Sequence, residues 1–139
     1  MPSYTAPTKD QQFILHNVLN ISEMDIPGFA DLDRDFTDAV LTEAGKLASE
    51  VLAPLNAVGD KQGCSLENGV VRTPDGFKDA YDKMSEGGWM SMDLAEEYGG
   101  QGLPYVMHTA AMETMVSANM SSTMYPGLTH GNTSATVTH

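Results

Sequence analysis

Asp35-Phe36-Thr37-Asp38-Ala39-Val40-Leu41-Thr42-Glu43-Ala44-Gly45-Lys46-Leu47-Ala48-Ser49-Glu50-Val51-Leu52 is the most strongly patterned part of the chain. Within it Phe36, Ala39, Val40, Ala44, Leu47, Ala48, Val51 and Leu52 recur at intervals of three and four, while Asp38, Glu43, Lys46 and Glu50 fall elsewhere. That spacing winds one apolar stripe along an α-helix, whereas a half-buried strand would alternate at every second residue. Pro54 is expected to end or kink this helix, because it has no N–H to donate and its ring strikes the carbonyl one turn back.

Towards the amino terminus, prolines at 2 and 7 make residues 1–7 an extended arm. Thr8 then offers a helix cap, and Phe13, Ile14, Asn17 and Val18 continue with helical spacing to about Leu19. Pro27-Gly28 breaks the chain. On the other side, Gly59 to Arg72 reads as a polar excursion turning at Asn68-Gly69, and Thr73-Pro74-Asp75 reads as a cap followed by proline at the first helical position. Phe77, Ala80, Tyr81 and Met84 supply the inner face of that helix, and Gly87-Gly88 stops it. A short segment with Trp89, Met90, Met92 and Leu94 leads into the loop Glu96-Glu97-Tyr98-Gly99-Gly100-Gln101-Gly102. Pro104 opens a helix reaching about Met120, and a last helix begins near Pro126 and runs toward His139. No run alternates at period two for long enough to make a sheet. The expected fold is all-α, a bundle of about five or six helices.

The 139 residues suit one domain, and 41% hydrophobic against 19% charged residues is a globular balance. Seven bases against nineteen acids give a net charge of −12, with Arg34 and Arg72 the two arginines. Such a surface repels phosphate backbones and anionic headgroups, which argues against nucleic-acid or membrane partners. The single cysteine, Cys64, has no partner for a disulfide or a CxxC site and is read as a free thiol of a reducing cytoplasm. No apolar stretch approaches the roughly 18 residues that span a bilayer. The opening Met-Pro-Ser-Tyr-Thr lacks the basic and apolar regions of a secretion signal, so a cytoplasmic location is expected.

Motifs with chemical potential are few. Asp31-Leu32-Asp33-Arg34-Asp35 resembles half of an EF-hand loop, but Phe36 stands where the tight turn needs glycine and Thr42 where a bidentate glutamate belongs. A solvated helix start, its acids favoured by the helix dipole, is the simpler reading. Gly99-Gly100-Gln101-Gly102 matches neither a dinucleotide fingerprint nor a phosphate loop with its lysine. His16, His108, His130 and His139 show no HExxH or close pairing, so no metal site is expected and they are read as surface or interface histidines. The methionines, among them Met107, Met112, Met115, Met120 and Met124, fit a deformable core and equally a pocket for flexible chains.

The segment Gly88-Trp89-Met90-Ser91-Met92-Asp93-Leu94-Ala95-Glu96-Glu97-Tyr98-Gly99-Gly100-Gln101-Gly102 resembles the Pro-Glu-Glu-Tyr-Gly-Gly-x-Gly loop of acyl-CoA dehydrogenases, with Ala95 replacing the usual proline. Val51-Leu52-Ala53-Pro54 followed by Gly59-Asp60-Lys61-Gln62-Gly63 is similar to the end of that family's first long helix. Tyr125-Pro126-Gly127-Leu128-Thr129-His130-Gly131 falls where the family lines its acyl pocket. Residues 4–13 look like the extension of a bacterial branch that includes long-chain and methylmercaptopropionyl-CoA dehydrogenases. The resemblance thus divides the chain into an extension over 1–34 and the family's amino-terminal α-domain over 35–139, cut before the β-domain.

It also implies what the whole protein does. The parent would be an FAD-dependent oxidoreductase of fatty-acid β-oxidation, taking an acyl-CoA to the trans-2-enoyl thioester and passing electrons to an electron-transfer flavoprotein. Its flavin-holding motifs and catalytic carboxylate belong to later domains, so no catalytic or cofactor-binding residue is expected here, and the piece alone is expected to be inactive and flavin-free. Thr123, Gly127 and His130 are the implied wall of the acyl pocket, and a homo-oligomer is the implied assembly. The competing reading is a stand-alone helical interaction module. Between Gly99 and His139 the one formally charged side chain is Glu113, which favours a surface made to be covered. Residues 104–139 are accordingly expected to be a sticky face, with Met107, Ala111 and Ala118 on one side of its first helix and Ala110, Met112, Met115 and Val116 around the rest.

Overall fold

A computed structural model describes residues 4–138, which form six α-helical segments and one short hairpin. Helix α1 spans Thr8–Phe13 and runs on as a wider π turn over Ile14–Val18. Thr8 is its first helical residue rather than its cap, a position taken by Pro7. Helix α2, Arg34–Lys46, is capped by Asp33, whose carboxylate accepts the Phe36 N–H at 2.8 Å. The acids at 33 and 35 therefore start a helix, as an N-cap and a first-turn carboxylate should.

The chain does not leave the helix at Pro54. It widens into a π turn over Leu47–Leu52 and continues as α3, Ala53–Gln62, with Pro54 in the first turn. Of the two expectations at Pro54, an end or a kink, the end is not seen, for a local reason: the wider turn before Pro54 gives room to a ring that a regular α turn would reject. The buried stripe is also rotated from the expected one. Thr37, Leu41, Ala44, Ala48 and Leu52 are each fully buried, while Phe36 and Ala39 stay at the surface.

A sheet, expected to be absent, exists in miniature. Strands β1, Ser65–Glu67, and β2, Val70–Arg72, pair antiparallel with Ser65 opposite Arg72. They turn at Asn68 and Gly69, whose φ values of 52° and 80° fit the tight hairpin turn that Asn-Gly favours. All six strand residues are exposed, so no alternation of polarity marks them in sequence. Helix α4, Phe77–Glu86, starts after Gly76 rather than at Pro74. The Pro74 carbonyl is engaged by the Phe77 N–H in a turn that precedes the helix.

Helices α5, Tyr105–Ala118, and α6, Met120–Thr138, are separated by Asn119 alone. Its φ of −158° breaks the helical path. Its side-chain oxygen accepts the Ser122 N–H at 3.1 Å and so caps α6 six residues ahead of the expected start at Pro126. Pro126 lies buried inside α6. The start signal was the asparagine, not the proline.

Two apolar clusters form the core, and α5 enters both. Ala111, Met115 and Ala118 join Ala44, Ala48, Leu52, Ala80, Met84 and Met92, while Met107 and Ala110 join Leu15, Ile21, Leu32 and Leu41. Met107, Ala110, Ala111, Met115 and Ala118 of α5 are thus covered by its own bundle, which corrects the expectation of a bare face there, while Val116 stays exposed. The amino-terminal segment shares this core. Tyr4 donates its hydroxyl hydrogen to the Thr114 carbonyl at 2.7 Å, and Gln11 donates to the Ala110 carbonyl at 2.9 Å while accepting from the Thr114 hydroxyl.

Candidate functional site

The Glu-Glu-Tyr-Gly-Gly loop is hooked back on the segment before it. Leu103 N–H bonds the Met92 carbonyl at 2.8 Å, Gly102 N–H bonds Leu94 at 2.9 Å and Gly100 N–H bonds Ala95 at 3.2 Å. This hook sends Met92, 2% exposed, into the core and holds its neighbour Asp93 against α5 and α6. Two histidines meet the Asp93 carboxylate there. His130 of α6 lies with Nε2 at 2.9 and 3.1 Å from the two carboxylate oxygens. His108 of α5 lies with Nδ1 at 3.5 Å from one of them, beyond a good hydrogen bond.

These three side chains are 9 to 11% exposed, and the imidazoles stack with centroids 4.1 Å apart. Tyr105, one turn before His108, covers the pair at 5.5 Å from His108 and 6.4 Å from His130. Burial first, then the neighbouring His130, push the His108 pKa below the ordinary imidazole value, against the pull of Asp93. His108 Nδ1 is buried and has no hydrogen-bond partner. The reading of separate surface histidines is therefore corrected for His108 and His130, which the fold stacks together. His16 bonds Thr37 instead, and His139 lies outside the described residues.

The three residues implied as a pocket wall all lie on α6 but differ in setting. Thr123 is 3% exposed, and its hydroxyl donates back to the Asn119 and Met120 carbonyls. Gly127 is exposed, with nothing within 4 Å of the place a Cβ would take. His130 belongs to the carboxylate cluster. Beside Gly127 runs a stripe that sequence reading did not single out as a unit: Met120, Met124 and Leu128, one turn apart and 62%, 60% and 78% exposed. Their i, i+4, i+8 spacing was the available signal.

Elsewhere a cleft of about 410 Å³ lies between α2 and the hooked loop, lined by Phe36, Ala39, Val40, Glu43, Trp89 and Leu103 among others. Cys64 is exposed and unpaired by disulfide. Among the described residues no helix is long and apolar enough to cross a membrane.

The last helix of the bundle thus bares an uncharged stripe, and the glycine-rich loop holds Asp93 against two of the helices. Residues 34–139 match the sequence model of the acyl-CoA dehydrogenase N-terminal domain, and the chain belongs to that family. A 3-methylmercaptopropionyl-CoA dehydrogenase of Ruegeria pomeroyi is 38% identical over 130 residues, which cover 93% of this chain and 22% of that protein. The chain thus spans about a fifth of the length of this relative.

Proposed function

We propose that the chain supplies one wall of the acyl-binding cavity of a flavin-dependent acyl-CoA dehydrogenase and does not carry out the oxidation by itself. The observation that carries this reading is the bare stripe of Met120, Met124 and Leu128 on α6, with Gly127 open beside it. A methylene chain laid along it would cover thioether and isobutyl groups and would desolvate no charge. Gly127 leaves space where any side chain would narrow the channel. Thr123 backs the wall, and His130, one turn beyond Gly127, marks its end. Methionines suit such a wall because their unbranched side chains adjust to acyl groups of different shape.

The whole protein, in this reading, is a cytoplasmic homo-oligomer that converts an acyl-CoA thioester to its trans-2-enoyl form and hands electrons to an electron-transfer flavoprotein. FAD would be held chiefly by other segments of the whole protein. The 410 Å³ cleft carries Glu43, a carboxylate where a pyrophosphate needs donors or cations. The role of this chain is accordingly to exclude water from the acyl group and to set its path.

The test is a chimera in which residues 1–139 replace the matching part of the Ruegeria relative. It is expected to bind flavin and to reduce an artificial acceptor with acyl-CoA, while the isolated chain stays colourless and without turnover. Gly127→Phe in the chimera should raise KM for longer acyl groups more than for short ones. A folded, flavin-loaded chimera whose chain-length preference ignores Gly127→Phe and Leu128→Trp would overturn the wall.

A further inference from the structure

We propose that Asp93, His108 and His130 form a binding site for one divalent transition-metal ion, a staple that ties the hooked loop to α5 and α6. The proposal shares His130 with the acyl-wall reading but does not rest on it, since the cluster's own geometry carries it.

One carboxylate and two imidazoles are a donor set that suits zinc, cobalt, nickel or ferrous iron and is poor for calcium or magnesium, which prefer oxygen. One ligand atom from each residue lies within 4.8 Å of the other two. Ligands at about 2.0–2.2 Å from a shared ion stand roughly 3–3.5 Å from each other. The 2.9 Å from Asp93 to His130 and 3.5 Å from Asp93 to His108 bracket that range. The three come from three different elements, so an ion here would close a loop in space rather than decorate one helix.

A second observation is the orphaned nitrogen. His108 Nδ1 is buried without a hydrogen-bond partner and faces the carboxylate from 3.5 Å. An unmet buried nitrogen costs about 1–3 kcal/mol in an ordinary core. A metal ion gives its lone pair a partner. The carboxylate beneath both rings offsets part of the cation's charge, and the net charge of −12 attracts cations to the domain as a whole.

The parallel stack of the two rings shows what binding must change. Lone pairs of imidazoles only 12° from parallel point side by side rather than at one centre. One ring has to rotate about its Cβ–Cγ bond to bring its lone pair to the shared centre. The stack should therefore break when the ion enters.

The experiment titrates the 139-residue chain with Co²⁺ and with Zn²⁺, each alone, following cobalt absorption, calorimetric stoichiometry and the imidazole resonances. One equivalent is expected at micromolar affinity or tighter, with visible cobalt bands of low coordination number and shifts in His108 and His130 but not His16. The melting temperature should rise with bound zinc. His130→Gln and Asp93→Asn should each abolish the one-equivalent phase, while His16→Gln keeps it. Both partially exposed variants are checked for native circular dichroism, so loss of fold is distinguished from loss of ligand. Absence of a one-equivalent phase in the folded chain, or a phase that survives both folded variants, would overturn the site.

Discussion

A Cβ added to Gly100 would lie 2.0 Å from the Leu94 carbonyl oxygen and 2.4 Å from its carbon, both backbone atoms of the loop next to Asp93. Neither atom can swing aside as a side-chain tip would. Gly100→Ala is therefore expected to lower stability by about 1–3 kcal/mol, read from the urea midpoint. Gly127→Ala has the opposite expectation: it lies inside α6, meets nothing, and should gain about 0.5–1 kcal/mol from helix propensity. Equal midpoints for the two variants would mean that the hook is looser than described. His16 gives a pH effect of known sign. Burial first, and Arg34 next, hold its pKa below the ordinary value, so the folded state disfavours the protonated ring. Its contribution is complete above the unfolded imidazole pKa and declines as pH falls below it. Going from pH 7 to pH 5 should thus lower the melting temperature of the native chain more than that of His16→Gln. The glycines of the loop were legible in the sequence because turns demand them. The Asp93 cluster was not, since Asp93 and His130 are 37 positions apart and no local period links a loop carboxylate to imidazoles on two helices.

Between residues and the molecule stand the elements, and here the apolar period was a sound guide while proline was an uneven one: Pro104 does sit at the start of α5. The repeat from Phe36 to Leu52 gave a helix, and a helix is present. Pro126 reads as a helix start and Pro54 as an end or a kink, yet Pro126 lies inside α6 and Pro54 falls in the first turn of α3, which a π turn joins to α2. Asn119 is the boundary that matters. Its amide donates to the buried Leu52 carbonyl at 3.0 Å while its oxygen caps α6, so one side chain fastens the π turn to the start of the last helix. Asn119→Ala removes a cap and a buried donor to the Leu52 carbonyl, and is expected to cost about 1–3 kcal/mol in chemical denaturation. Asn119→Asp should recover part of this, because it restores the cap but not the donor. The hairpin gives the contrast. Leu66 is 73% exposed on strands that are exposed throughout, so Leu66→Ala should change stability by no more than about 0.5 kcal/mol. A large loss there would require that β1 and β2 pack on the core.

At the scale of the whole molecule, the apolar surface and the acid charge oppose each other. Met120, Met124 and Leu128 are bare on α6, and the net charge of −12 keeps copies apart. The isolated chain is expected to self-associate through α6 increasingly as salt screens that repulsion, with light scattering as the readout. Leu128→Glu should leave a monomer at all salt concentrations and a native fold. Met115→Lys cannot serve in its place, since Met115 is fully buried and the change would destroy the core. The bond from Tyr4 to Thr114 crosses 110 positions, and Leu15 and Ile21 likewise rest on Met107 and Ala110 of α5. A ribosome makes Tyr4 110 residues before the Thr114 that anchors it. While those residues are being made α1 has no α5 to lie on, and contacts so distant along the chain form slowly once they can form at all. The arm thus waits unfastened for its partner helix, and that interval is when chaperones and proteases meet it.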